Sequence, residues 1–447
     1  KDRVIGWVIV NGAECEPYLN CDNRLMMERP EPIIEGLEMC LSLFSEAKVV
    51  IAIEANKPEA IRRMEGELSE HDHTRIRVMP HAVKYPQGAE KMLIWSVTGQ
   101  EIPPGALPAD VGCIILNVRT LYHIWLALTQ GIPVMDRIVS VTGDVVSAPK
   151  NLLVPLGTSV RELVEAAGGF KEEPVKVLAG GPMMGISMRS LDVPVVKGTS
   201  GILALSSRLA VLPVESNCLR CGRCVAACPM HLIPSDLDRA VRRRDYAGFE
   251  RAGGLNCIEC GCCTYDCPAS RCLTQTCRDG RTQKASTEGG AEEMTERFAV
   301  GSSPHIHAPL DTQKIMAWVL VSLLPAGAAG VWFLGSSSLA VIATCVIVCV
   351  GSEFLWQRLA GQRVTVSDLS AAVTGLLLAY NLPPTIPLWM AACGSAFAIV
   401  LVKQFFGGLG GNIVNPALAA RAMMLISWPV AMTDWSLDGV STATPLA

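Results

Sequence analysis

Eight cysteines between residues 218 and 267 repeat one pattern twice, and nothing else in the chain restricts its fold so tightly. Cys218, Cys221, Cys224 and Cys228-Pro229 follow C-x2-C-x2-C-x3-C-P, and Cys257, Cys260, Cys263 and Cys267-Pro268 follow it again. Thiolates at two-residue gaps wrap one face of an iron–sulfur cubane, while the fourth, carried off by the proline turn, ligates the other cluster. The spacing predicts two [4Fe-4S] clusters. One takes Cys218, Cys221, Cys224 and Cys267; the other takes Cys257, Cys260, Cys263 and Cys228. Structural zinc is the alternative, but zinc ribbons use paired C-x2-C units rather than two four-cysteine runs ending in Cys-Pro. Paired cubanes serve to move single electrons.

The chain has 18 cysteines in 447 residues, and no amino-terminal signal peptide precedes them. Metal or redox chemistry is therefore expected over a secreted disulfide scaffold. Cys262, Cys272 and Cys277 read as spare thiols, and Cys345, Cys349 and Cys393 as small apolar residues. With 38 basic and 42 acidic residues, the net charge of −4 argues against a nucleic-acid partner. Only ten charged residues fall within 311–447, and the first 310 residues hold the other 70. One half reads as soluble, the other as lying in a lipid bilayer.

Residues 1–135 alternate strand-like runs at 4–10, 47–53 and 111–117 with helical stretches at 30–45 and 57–70, which favours an α/β layer with a largely parallel sheet. Residues 136–215 are expected to form a small β-rich domain with a short helix near 159–167. Residues 216–277 form the two-cluster ferredoxin-like domain. Its helical insert at 235–249 carries Arg242, Arg243 and Arg244, either a solvated face or a dock for an acidic electron carrier. Residues 278–310 read as a linker. Residues 311–447 are expected to be an all-α transmembrane bundle of about five spans, at 315–334, 334–352, two within 369–402, and 416–432. Lys314, Arg358 and Arg363 place the start of the first span and the end of the second on the cytoplasmic side, and counting onward puts Lys403 there too. Both ends read as trimmed, since Lys1 opens straight into an apolar run and Ala447 falls within a motif.

Several stretches carry a family resemblance. They are Val10-Asn-Gly-Ala-Glu-Cys-Glu-Pro-Tyr18, Lys84-Tyr-Pro-Gln-Gly-Ala-Glu90, Asn117-Val-Arg-Thr120, Gly180-Gly-Pro-Met-Met-Gly185 and the two cysteine runs. Later come Ser303-Pro-His-Ile306, Lys403-Gln-Phe-Phe-Gly-Gly-Leu-Gly-Gly-Asn412, Asn415-Pro416 and Asp438-Gly-Val-Ser-Thr-Ala-Thr444. Through these, residues 1–270 resemble the C subunit and residues 294–447 the D subunit of the membrane-bound Rnf electron-transport complex. Met294 looks like the start of the second of these, so the chain reads as two subunits fused in frame.

The first half is also similar to the flavin- and NADH-binding subunit of respiratory complex I. That resemblance implies noncovalent FMN and NADH near Asn11, Glu14, Glu16, Tyr85, Gly88, Glu90, Asn117 and Thr120, although a Glu-Cys-Glu turn alone would read as a solvated loop. In the second half the resemblance implies FMN esterified to Thr444. Asn412 and Arg421 are further flavin candidates there; close packing of residues 407–411 and a snorkelling arginine are the plainer readings. The expected function is the electron-transfer component of a bacterial inner-membrane ferredoxin:NAD oxidoreductase that moves Na⁺ or H⁺. Its implied partners are other Rnf-type membrane subunits, ferredoxin and NAD(H), with residues 1–310 cytoplasmic. The alternative is a non-catalytic relay docked to a membrane complex that reduces a redox regulator.

Overall fold

A computed structural model describes residues 4–70, 75–210, 215–282, 303–362, 364–437 and 440–442, with backbone alone in the last six of these. It divides into two compact units. The first comprises Lys1–Pro213, Arg223–Tyr265 and Cys272–His307; the second comprises Val214–Gly222, Asp266–Arg271 and Ala308–Ala447.

The first unit opens with β1 (Trp7–Gly12), α1 (Cys21–Glu28), α2 (Pro30–Leu41), β2 (Lys48–Glu54), α3 (Pro58–Glu70), β3 (Ile76–His81), α4 (Glu90–Thr98), β4 (Cys113–Asn117) and α5 (Val118–Gln130). The four strands form a parallel sheet in the order β3-β2-β1-β4. Residues 49–53 of β2 are all buried, as befits a parallel strand covered on both faces. Each buried Val or Ile there contributes about 1.5–3 kcal/mol. The three expected strands are present, and β3 joins them at the edge.

A second sheet follows, built from β5 (Asp136–Thr142), β6 (Lys150–Pro155), β7 (Lys176–Ala179), β8 (Ile186–Met188) and β9 (Gly201–Leu205), ordered β6-β5-β9-β7-β8. The short helix α6 (Val160–Ala166) starts on a reciprocal cap. Ser159 Oγ accepts from Glu162 N at 3.3 Å, and Glu162 Oε2 accepts from Ser159 N at 2.9 Å.

The cysteine region carries α7 (Arg223–Ala226), α8 (Pro234–Arg242), α9 (Tyr246–Arg251), α10 (Cys262–Tyr265) and α11 (Leu273–Thr282). The insert is two helices rather than one, because the chain turns at Arg244 with φ 58°. Arg242 Nε bonds the buried Asp238 at 2.8 Å, so part of that basic stretch is structural. α11 runs through Thr282 and residues 303–307 pack into the first unit, so both ends of the expected linker are structured.

In the second unit, α12 (Thr312–Leu334) and α13 (Ser336–Leu359) are long and apolar enough to cross a membrane. Among the described residues, the other expected spans carry shorter helices: α14 (Ser370–Ala379), α15 (Leu388–Phe397) continuing as a π-helix (Ala398–Gln404), and α16 (Pro416–Ser427). At 1.5 Å per residue, the 12 residues of α16 extend about 18 Å, short of the roughly 30 Å hydrocarbon layer.

Candidate functional site

The two cysteine runs repeat in backbone as well as in sequence. Arg220 and Glu259 hold the same place in their runs and share a left-handed conformation, φ 55° and 56°. Gly222 and Gly261 follow suit at 77° and 85°, as do His231 and Ser270 at 52° each. The turn at the first pair aims a backbone N–H back at the cysteine sulfur: Arg220 N lies 3.4 Å from Cys218 Sγ, and Glu259 N lies 3.4 Å from Cys257 Sγ. Such donors suit thiolate ligands.

In the first unit, Cys228, Cys257, Cys260 and Cys263 line one hollow together with Met230, Leu232 and Leu237. This is the donor set expected for the second cluster: four sulfurs, an apolar wall and N–H groups on Cys257 and Cys228, the latter from Leu232 N at 3.4 Å. A [4Fe-4S] cluster fits that chemistry and supplies one-electron exchange when bound. Cys277 of α11, read from sequence as a spare thiol, lines the same hollow. Its hydrogen bond to Cys257 favours the thiolate of that cysteine and holds it below the usual thiol range. Of the other expected set, Cys218, Cys221 and Cys267 belong to the second unit and Cys224 to the first.

A cavity of about 670 Å³ lies beside the hollow, lined by Glu14, Glu16, Tyr85, Gly88, Glu90 and the 180–185 turn, and by Cys260 and Ile258, which line the hollow as well. Tyr85 Oη donates to Cys260 O at 2.8 Å. Glu16 Oε1 accepts from Met183 N at 3.1 Å and from Met184 N at 2.7 Å, while its buried Oε2 has no partner among the described residues. Burial pushes its carboxyl up to about 7. The volume and the orphaned oxygen at the wall suit a polar ligand of cofactor size.

Several of the expected cofactor residues have structural duties as well. Asn11 Nδ2 donates to Gly88 O at 2.9 Å, and Asn117 Nδ2 to Asp22 Oδ2 at 2.9 Å while its Oδ1 caps α5 through Arg119 N. Glu14 accepts from Asp22 N and Asn23 N at 3.2 Å each, at the start of α1. Burial raises its pKa, with Asp22 adding to the shift. A Cβ on Gly88 would strike the Ala13 carbonyl, so the chain itself requires that glycine. Thr120 and Glu90 are exposed, on α5 and at the start of α4.

In the second unit, a Cβ on Gly410 would run into the Cys218 carbonyl, and Asn217 Nδ2 donates to Gly407 O at 2.8 Å. The glycine loop therefore receives the start of the first cysteine run. Asn412 Oδ1 is buried with no partner among the described residues. Arg421 Nη1 donates to Asn381 Oδ1 at 3.1 Å, and Thr444 lies outside the described residues. Charge counting puts Lys403 beside the cytoplasmic surface. Within the protein it is buried, 1% exposed like its partner Glu353, with Nζ 2.8 and 2.9 Å from the two carboxylate oxygens and 2.6 Å from Ser370 Oγ. It lies within the π-helix.

Comparisons with known proteins follow this division. Residues 1–126 match the Nuo51 FMN-binding domain, 138–187 the SLBB domain, 211–268 a 4Fe-4S dicluster domain, and 299–447 the NQR2, RnfD, RnfE family. The two halves match two different subunits. The C subunit of the proton-translocating ferredoxin:NAD(+) oxidoreductase complex of Clostridium ljungdahlii is 46% identical over 236 residues, 53% of this chain and 51% of that protein. Its counterpart in the Na(+)-translocating complex of Acetobacterium woodii is 41% identical over 277 residues, 62% of each chain. The C subunit of the ion-translocating oxidoreductase complex of Rhodobacter capsulatus is 44% identical over 247 residues, 55% of this chain and 47% of that protein. The chain thus spans about half to three-fifths of these relatives, and it joins a half that resembles them to an RnfD-family half. Among solved structures, an NAD+-reducing [NiFe]-hydrogenase aligns with a TM-score of 0.43 at 16% identity, over 62% of this chain and 55% of that one.

Proposed function

We propose that the chain is the electron-transfer component of a membrane-bound ferredoxin:NAD oxidoreductase that couples electron flow to Na⁺ or H⁺ movement. The observation that carries this reading is a shared wall. Cys260 and Ile258 line both the four-cysteine hollow and the 670 Å³ cavity, so a cluster and a ligand in those places would be neighbours. FMN in such a cavity would interchange two-electron hydride chemistry with single-electron transfer. Tyr85 fixes that wall through the Cys260 carbonyl, and Glu16 offers its unpaired oxygen to a ribose or amide donor.

The cofactor set we assign is two [4Fe-4S] clusters, noncovalent FMN with NADH in the first half, and FMN esterified to Thr444 in the second. Other Rnf-type membrane subunits and ferredoxin are the partners. The cysteine segments are assigned to the cytoplasmic face of a bacterial inner membrane. Thr312 Oγ1, at the start of α12, donates to Pro268 O at 3.2 Å, which supports placing that end of α12 on the same side as Pro268.

The test is anaerobic addition of NADH to flavin-loaded full-length protein, followed by EPR. A reduced-cluster signal from NADH is expected. Clusters that dithionite reduces but NADH does not would refute the reading. Coexpression with a flavin transferase should add the mass of FMN to the peptide bearing Thr444, and an unmodified peptide would remove that assignment.

A further inference from the structure

Residues 303–307 fold within the first unit, although the match to the membrane family opens at residue 299. Ser303, Pro304 and His305 are buried there, His305 to 2% exposure. The His305 backbone N–H donates to Pro182 O at 2.6 Å, and its Nε2–H donates to Gly185 O at 2.9 Å. A carbonyl can only accept, so the ring is the Nε2–H tautomer. Pro304 seats on Gly261 of the second cysteine run, where an added Cβ would lie 3.2 Å from the proline ring. Arg278 Nη2 of α11 reaches Ser303 Oγ at 3.5 Å. Burial holds the His305 imidazole down at about 4, so it is neutral at physiological pH and needs no counter-charge.

We infer that residues 303–307 are a docking peptide, by which a chain of the NQR2, RnfD, RnfE family grips a partner like the first half of this chain, and that the grip does not depend on the two being one polypeptide. The contact is made by an extended segment that brings its own buried proline and histidine, and by a receiving surface of the 180–185 turn, Gly261 and α11. Covalent continuity through residues 283–302 raises the local concentration of the segment but supplies none of these bonds.

The experiment introduces a protease site between residues 284 and 292 of the full chain, cuts it in detergent, and measures association of the two pieces through a tag on the amino-terminal one. The cut, otherwise unaltered protein is expected to stay together. Pro304→Ala with His305→Ala should raise the dissociation constant about ten- to a hundredfold, with both iron–sulfur EPR signals retained as the check on folding. Pieces that part on cutting the unaltered chain overturn the inference, and so does a double variant that holds as tightly as the unaltered pair.

Discussion

Glu16→Gln should stabilise the 180–185 turn at high pH and leave it unchanged at low pH. Two backbone N–H groups on one carboxylate oxygen of Glu16 favour its charged form, but burial of the carboxyl, whose other oxygen has no partner among the described residues, outweighs them, so the folded protein favours the protonated side chain. Burial raises the pKa from 4.5 to about 7. At about 1.36 kcal/mol per unit this amounts to ~3.4 kcal/mol, reduced to the order of 1–3 kcal/mol by residual solvent contact. Because the folded pKa lies above the unfolded one, this contribution is complete below pH 4.5 and is lost as pH rises through about 7. Glutamine keeps the acceptor oxygen and never ionises. Hydrogen–deuterium exchange of the segment around Met183 and Met184, compared between variant and parent at each pH, cancels the intrinsic pH dependence of exchange. Equal protection is expected near pH 4.5, with the variant exchanging roughly five- to a hundredfold more slowly at pH 8.5. A ratio that does not change with pH, or that reverses, would show that the ionised carboxylate is stabilised in the fold.

Three further outcomes are expected. Lys403→Met leaves the Glu353 carboxylate buried without its cation and should cost about 3–5 kcal/mol, read as a lower Tm in detergent. Adding Glu353→Gln should recover most of that loss, and strictly additive effects would count against the pairing. Cys260→Ala should abolish one cluster's EPR signal and spare the other; loss of neither would sink the ligand scheme. Gly410→Ala forces a Cβ against the Cys218 carbonyl at a φ of 81° and should destabilise the second unit by about 1–3 kcal/mol, checked by thermal unfolding.

Local signals are legible in the sequence, and distant ones are not. Ligand spacing and the Ser159–Glu162 cap act within a few residues, so the cysteine runs and α6 can be read directly. β3 escapes because Arg77 and Pro80 break its apolar pattern, as befits an edge strand. Hydropathy places the apolar segments of the second half but not their ends: α12 and α13 run three and five residues longer than the expected spans, whereas α16 stops at Ser427, ahead of Pro429 and short of the expected 432. Lys403 looks like a flanking charge; it is buried against Glu353, fifty residues away. Glu16 and its amide partners are separated by 167 and 168 residues, and Cys277 reaches the hollow through the packing of α11, so neither role is visible in spacing.

The matched left-handed turns cast the two cysteine loops from one mould, but the castings are not equally protected. Glu259 is clamped by Arg278 and Arg281 at 2.8 Å each, tying the second loop to α11. Cys260 and Cys263 beneath it are buried, whereas Cys221 of the first loop is exposed. Oxygen and chelators reach exposed sulfur first. Protein handled in air should therefore fail in a set order, shedding iron from the first loop while the second still reports a cluster.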